Sequence, residues 1–348
     1  MNIDLTGQAA IVTGASSGLG RASALLFAQA GAKVAVNYNS NKDAADDVVD
    51  RIVAGGGTAF AIGADTSDED AVIGMFDETV ARFGGVDVVF ANAGMQKDAA
   101  YADLSLDDWK RVIDVNLTGQ FLVSREAVRR FRTQGDRGFG RAIGKILFMS
   151  SVHETIPWAG HANYAASKGG SGMLMRTLAQ EVAEDRIRVN ALAPGAIRTD
   201  INADATEDAD KLLELIPYGR IGDVDDVARA ALFLVSDAAD YIVGSTLTID
   251  GDEPLSRVPQ QWMTGPASGP PRRASHRRSA IMVRSAISRR WRSSIATGRS
   301  IICAGRTSTA QVSLPRCSTM PGRAVFSGCA PSFPTRASSR CTCPRPTC

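Results

Sequence analysis

Along residues 1–252, short runs of apolar and often β-branched residues alternate with longer stretches whose apolar positions recur every three to four residues. The runs AAIVTG (9–14), KVAVNY (33–38), TAFAIGAD (58–65), VDVVFANAG (86–94), GKILFMSS (144–151), IRVNALAPG (187–195) and STLTIDG (245–251) read as strands. Continuously apolar runs suit strands covered on both faces, the condition of a parallel sheet. Their alternation with helical stretches predicts an α/β fold, a Rossmann-type doubly wound parallel sheet in a single domain over residues 1–252. In such a sheet ligands sit beyond the carboxyl ends of the strands, where the strand order reverses. The loops after IVTG, ANAG, FMSS and ALAPG are therefore expected to share one crevice.

Charge divides the chain in two. Residues 1–252 hold 23 Lys+Arg against 36 Asp+Glu, whereas residues 253–348 hold 16 Arg, no Lys and one acid. The overall charge of +2 is an average of two unlike segments. All six cysteines (Cys303, Cys317, Cys329, Cys341, Cys343 and Cys348) fall in the second segment, so neither a disulfide nor a cysteine-ligated metal supports the first. The first segment is long enough to bury one α/β core. It opens with no basic-then-apolar leader, and no run reaches about 18 apolar residues. A cytoplasmic protein with no membrane span and no metal site is expected.

The loop Thr13-Gly14-Ala15-Ser16-Ser17-Gly18-Leu19-Gly20 falls between the first strand and the helical RASALLFAQAG. Glycines there allow close backbone approach, and the helix start offers unpaired N–H groups to a pyrophosphate. The pattern alone fits a bare strand–turn–helix equally well; its place at the first crossover points to a dinucleotide. A fold that selects NAD offers a carboxylate about twenty residues on. Here the second strand ends Asn37-Tyr38-Asn39-Ser40, and the next acid is Asp43. No fixed negative charge repels a 2′-phosphate, and no Arg or Lys in that stretch grips one. NAD and NADP both stay open.

Tyr164 and Lys168 stand four residues apart, so a helix starting near Asn163 puts phenol and ammonium on one face. A phenol titrates too high to act as a base near neutrality, and a neighbouring ammonium favours the phenolate. Tyr164 would then exchange a proton with an alcohol or carbonyl while a hydride passes to or from the cofactor. Ser151 could hydrogen-bond the substrate oxygen. The alternative is a surface helix whose Tyr and Lys merely cover apolar area; the serine and the glycine loop weigh against it.

Tyr164-Ala165-Ala166-Ser167-Lys168, the Thr13–Gly20 loop, Asn92-Ala93-Gly94, Asn116 in VNLTG, Ser151 and Pro194-Gly195 together resemble the short-chain dehydrogenase/reductase family, over residues 1 to about 251. The resemblance implies a catalytic tetrad of Asn116, Ser151, Tyr164 and Lys168, with Asn116 holding a relay water near Lys168. It implies that Thr13, Gly14, Ser16, Ser17, Gly18, Leu19, Gly20, Asn37, Asn39, Asp65, Asn92, Ala93, Gly94, Tyr164, Lys168, Pro194, Gly195, Ile197 and Thr199 contact the cofactor. Within the family MSSVHETIPW, HANYAASKGG and PGAIRTDIN resemble glucose 1-dehydrogenases more than oxoacyl-carrier-protein reductases. That implies a substrate pocket of Gln96, Ser151, His153 and Tyr164, a sugar or polyol substrate, and a homotetramer. Two departures weaken the sugar and NADP readings: Gln96 stands where a carboxylate is common, and Asn39 where an arginine is frequent. A reductase of another carbonyl, such as an oxoacyl thioester, is the neighbouring alternative.

Residues 253–348 follow no helical or alternating period and are dominated by Arg, Ser, Pro, Thr and Gly, the composition of a disordered segment. An Arg-rich tail could bind nucleic acid beside a nucleotide-sensing domain, but a sensor has no need of Tyr164 and Lys168 together. Cys341 and Cys343 have no answering pair. Many arginines without lysine are what GC-rich DNA gives when read out of frame. Codons for Asp252 to Pro259 can be chosen so that the frame one base later reads Met-Ser-Arg-Tyr-Pro-Gly-Phe, resembling the Gly-Gly-Met-x-x-Tyr-Pro-x-Phe ending of the glucose enzymes. The tail is therefore read as a frameshift near Gly251.

Overall fold

The computed structural model describes residues 3–199, 213 and 216–251. Both the disorder and the frameshift expected of residues 253–348 lie outside the described residues. Among these, seven strands form one parallel sheet: β1 (Ala9–Val12), β2 (Lys33–Tyr38), β3 (Thr58–Gly63), β4 (Val88–Ala91), β5 (Gly144–Met149), β6 (Ile187–Pro194) and β9 (Thr246–Ile249). Their order is β3-β2-β1-β4-β5-β6-β9. All seven apolar runs of the sequence are strands. A short parallel pair, β7 (Ile197–Arg198) and β8 (Gly222–Asp223), lies outside the main sheet and has no periodicity to announce it.

Every residue of β1, β4, β5 and β6 is buried. Alternate side chains leave a strand on opposite faces. Accordingly Ala9, Ile11, Val89 and Ala91 join one apolar layer with α3 (Glu69–Phe83), α5 (Gly119–Gln134) and α6 (Ala162–Val182). Ala10, Val12, Val88 and Phe90 join the other with α1 (Gly18–Gln29), α2 (Lys42–Ala54) and α7 (Val224–Val235). The first layer includes Phe76, Phe131 and Met175, and the second Phe27, Val48 and Val227.

Between β4 and α5, the helix α4 (Leu106–Ile113) runs through a π-helical turn at Asp114–Thr118. β1 is bonded to β2 on one side and β4 on the other, so chain order reverses at β1. The crevice beyond these strand ends is where the sequence placed its chemistry. No described helix is long and apolar enough to cross a membrane.

Candidate active site

The glycine loop is fixed from three sides. Thr13 Oγ1 accepts from the backbone N–H groups of Asn92 and Ala93, both at 2.9 Å. Asn92 Nδ2 donates to the Thr13 carbonyl at 2.8 Å, locking the β1 and β4 loops together. Asn37 Oδ1 accepts from the Gly14 N–H at 3.2 Å, while its amide donates to the carbonyls of Tyr38, Ile62 and Ala64. Expected to meet the cofactor, Asn37 is only 1% exposed and instead braces the loop from behind.

Gly14 has φ +61°, and a Cβ there would stand 3.0 Å from the Ala93 Cα. A Cβ at Gly20 would stand 2.6 Å from Asn92 Nδ2, so the close seat of α1 on the β4 loop needs a glycine. At Gly18, φ +53°, nothing lies within 4 Å of such a Cβ, which leaves the loop's outer side open. Ser17 is the N-cap of α1 but makes no side-chain cap bond, and the first turn carries no acid. Ser16, Ser17 and Leu19 are half-buried along the loop. An uncapped, acid-free helix start over an open glycine turn suits a diphosphate.

Beyond the ends of β2 and β3 lies a cavity of about 300 Å³ lined by Asn39, Asp65, Ser67, Val115 and the charged residues Asp107, Lys110, Arg111 and Asp114. Asp65 is oriented by Ser67, whose N–H and hydroxyl donate to Oδ1 at 2.9 and 2.7 Å. The second-strand end offers no cation, as expected; the structure brings two from α4. Lys110 and Arg111 take part in no ion pair among the described residues. Sequence reasoning missed them because they are remote from Asn39 in the chain.

On the other side of the crevice Tyr164, Lys168 and Ser151 come together. Both Tyr164 and Lys168 are on α6, with Lys168 Nζ 5.5 Å from the centre of the Tyr164 ring. Lys168 is 2% exposed and donates to the Met149 carbonyl at 2.8 Å. Ser151, two residues past β5, lies by the Tyr164 phenol and draws its pKa down, and its hydroxyl accepts from the His153 N–H at 3.2 Å. A Cβ at Gly94 would be 3.4 Å from Asn116 Oδ1 and 3.7 Å from Lys168 Nζ, so the β4 loop meets both residues.

Asn116 is fully buried in the π-helical turn, a form of helix that recurs at functional sites. Its Oδ1 accepts from Met95 N–H at 2.8 Å, and its Nδ2 donates to the Met95 carbonyl at 2.9 Å and to Ser167 Oγ at 3.1 Å. The side chain thus ties the β4 loop to α6.

Electrostatics depart from the expectation at Tyr164. Burial raises the phenol above its ordinary value, and the Ser151 hydrogen bond offsets only part of this. The expected lowering by Lys168 is absent because Lys168 is itself pushed down to about 8 by burial, opposed by the Glu154 carboxylate.

His153 is also held down by burial, its Nδ1 bonded to the Ile156 carbonyl at 3.1 Å. Its ring stacks on Trp158 with centres 4.3 Å apart, Trp158 stacks on His161 at 3.5 Å, and His153 meets Tyr164 edge-on at 6.4 Å. His161 lies 3.3 Å from Asp98, which also accepts from Gln96 Nε2 at 2.9 Å. Gln96 is therefore joined to this aromatic ladder through Asp98. Pro194 ends β6, Gly195 N–H donates to the Ile249 carbonyl, Ile197 is buried, and Thr199 directly follows β7. Among the described residues no His, Cys, Asp and Glu cluster could hold a metal.

A family model described as enoyl-(acyl carrier protein) reductase matches residues 14–251. Over 251 residues the chain is 46% identical to 3β-hydroxysteroid dehydrogenase 1 of Eggerthella lenta, covering 71% of this chain and 94% of that protein. It is 41% identical over 251 residues to glucose 1-dehydrogenase 2 of Bacillus subtilis, covering 71% and 95%. Among solved structures it resembles a 7α-hydroxysteroid dehydrogenase complexed with NADH and 7-oxo glycochenodeoxycholic acid, with TM-score 0.68 and 36% identity over 73% of this chain and 98% of that one.

Proposed function

Because the chain belongs to the short-chain dehydrogenase/reductase family, we propose that it is an NAD(P)-dependent oxidoreductase moving a hydride between a nicotinamide and a secondary alcohol or its carbonyl. The observation that carries this reading is the meeting of Ser151, Tyr164 and Lys168 beside the open glycine loop. The nicotinamide, when bound, supplies the hydride or takes it up. All other roles fall to this chain. Gly14, Gly18 and Gly20 would receive the diphosphate at the start of α1; Asn39, Asp65 and Ser67 would hold the adenosine, with Asn92, Ala93 and Gly94 behind its ribose. Pro194, Gly195, Ile197 and Thr199 would border the nicotinamide end.

Tyr164 gives its phenolic proton to a carbonyl oxygen in reduction and takes the hydroxyl proton in oxidation. Its raised pKa keeps it a proton donor until a positive charge faces it. Ser151 holds the substrate oxygen where charge develops, and Asn116 fixes the π-helical turn against α6.

The substrate we assign is a sugar or other polyol, on the VHETIPW loop and the glucose-dehydrogenase relative. The His153–Trp158 stack stands beside Tyr164, which His153 meets edge-on. A fused-ring hydroxysteroid is the second reading, favoured by the steroid-dehydrogenase relative and the same aromatic surface. We place the enzyme in the cytoplasm as a homotetramer.

The test is a panel of aldoses, polyols, hydroxysteroids and oxoacyl thioesters with each coenzyme, followed by reduced-nicotinamide absorbance. A kcat/KM about tenfold higher for a sugar than for the others supports the first reading. Preference for a steroid replaces it with the second. No coenzyme turnover with any member counts against the enzyme.

A further inference from the structure

One buried carboxylate near the site has no part in the tetrad. Glu154 ends the 3₁₀ turn Val152–Glu154, and its side chain is 8% exposed. Ser150 Oγ donates to Oε2 at 2.6 Å, and Arg176 Nη1 stands 3.6 Å from Oε1. The carboxylate fits because α6 has no side chain in its path: a Cβ at Gly172 would be 2.7 Å from Oε2, and one at Gly169 would be 3.5 Å from the Glu154 carbonyl oxygen.

Gly172 follows Lys168 by four residues, one turn along the same helix face. Lys168 is buried, and the Met149 carbonyl it bonds is neutral. A buried amine with no counter-charge sheds its proton. The other charged groups near this part of α6 are engaged elsewhere. Asp107, Lys110, Arg111 and Asp114 of α4 and the π-helical turn open onto the cavity beside Asn39. Glu126 of α5 pairs with Arg129 and Arg130. On β6, Arg188 faces the carbonyls of Leu234, Ser236 and Ala239. His153, in the same turn as Glu154, is pushed toward neutrality, and Tyr164 is a neutral phenol.

We infer that Glu154 is a positioning residue: its carboxylate, set into the glycine-lined groove of α6 one turn past Lys168, is the counter-charge that keeps Lys168 an ammonium ion. Arg176 competes for the same carboxylate from the surface, where its side chain is 43% exposed. The consequence for turnover rests on the reading of Lys168 as part of the tetrad; the charge state of Lys168 does not.

The experiment is a pH titration of the full chain, with ¹³C-labelled lysine side chains followed by NMR and the Lys168 signal assigned from Lys168→Met. In Glu154→Gln, Lys168 should titrate about one pH unit below wild type, the size expected of one charge at this range in a partly polar interior. In Arg176→Met the competing cation is gone, and Lys168 should titrate higher than wild type. Opposite movements are not what loss of packing produces. The high-pH limb of kcat/KM for carbonyl reduction should move with each variant. An unchanged Lys168 titration in folded Glu154→Gln, checked by melting and coenzyme binding, overturns the inference. If Glu154→Gln does not fold, Arg176→Met decides, and an unmoved titration there overturns it equally. If the NMR titration moves but the rate profile does not, the counter-charge stands and the catalytic reading of Lys168 falls.

Discussion

Asn39 lies one residue beyond the end of β2, on the wall of the cavity it shares with Asp65 and Ser67, and carries no charge. Its neutrality was visible in the sequence, because a strand end and the residues after it are local. What the sequence hid is that Lys110 and Arg111 reach the same wall from α4. We propose that the choice between NAD and NADP is set by charge at this wall. Asn39→Arg should tighten NADPH at least tenfold through a charge-assisted contact, a gain of about 1.5–3 kcal/mol, and leave NADH nearly unchanged. Arg111→Ala should weaken NADPH alone. Fluorescence titration of both coenzymes checks this, and an NADPH/NADH ratio that neither variant moves would put the 2′-phosphate elsewhere. Tyr164 gives the opposite lesson. Its spacing from Lys168 was legible because it is a property of one helix, but the direction of its pKa was not, because burial comes from every element packed around it.

At the scale of elements, the strands could be read because burial on both faces leaves no polar alternation, and the glycine loop because its spacing is local. The π-helical turn at Asp114–Thr118 left no such signal, since its sequence DVNLT continues the apolar pattern of α4 and α5. Contact between elements gives the sharper prediction. Gly20→Ala would drive a methyl group into Asn92 Nδ2 and the Gly14 carbonyl, both backbone-locked. Coenzyme binding should fall by more than tenfold, with a lower melting temperature, as expected for an overpacked contact of about 1–3 kcal/mol. Binding at wild-type strength would mean that α1 can shift away from the β4 loop.

A second element carries a pH dependence. Asp226 closes the capping box of α7 with Asp223 and is ion-paired with Arg220 and Arg229. Its hydrogen bond with Arg220 holds the carboxyl well below the usual range. A carboxyl lowered by folding stabilises the protein above its unfolded pKa of about 3.9, and that contribution is lost as pH falls toward the folded value. Asp226→Ala should lower stability by about 1 kcal/mol near neutrality, and the gap to wild type should close as pH falls below about 4. Melting curves across pH check both parts, and a gap that persists in acid would make the effect one of packing.

For the whole molecule, the family match stops at residue 251, where an acidic chain becomes arginine-rich. We propose that the residues from Asp252 onward are a displaced reading frame. Replacing them with Met-Ser-Arg-Tyr-Pro-Gly-Phe should raise substrate turnover while coenzyme binding stays as it was, since the glycine loop and Tyr164 precede the change. A coding sequence whose alternate frame stops within the first few codons would remove this explanation. Upstream of that boundary, we propose, the chain transfers a hydride, with Tyr164 handling the proton. Single-turnover formation of reduced coenzyme by the best alcohol of the panel, in wild type and in Tyr164→Phe, tests it most directly. The variant should bind coenzyme with unchanged Kd and reduce it at least about 100-fold more slowly, the usual contribution of a general acid–base group. An equal rate in the two proteins would remove Tyr164 from the proton transfer.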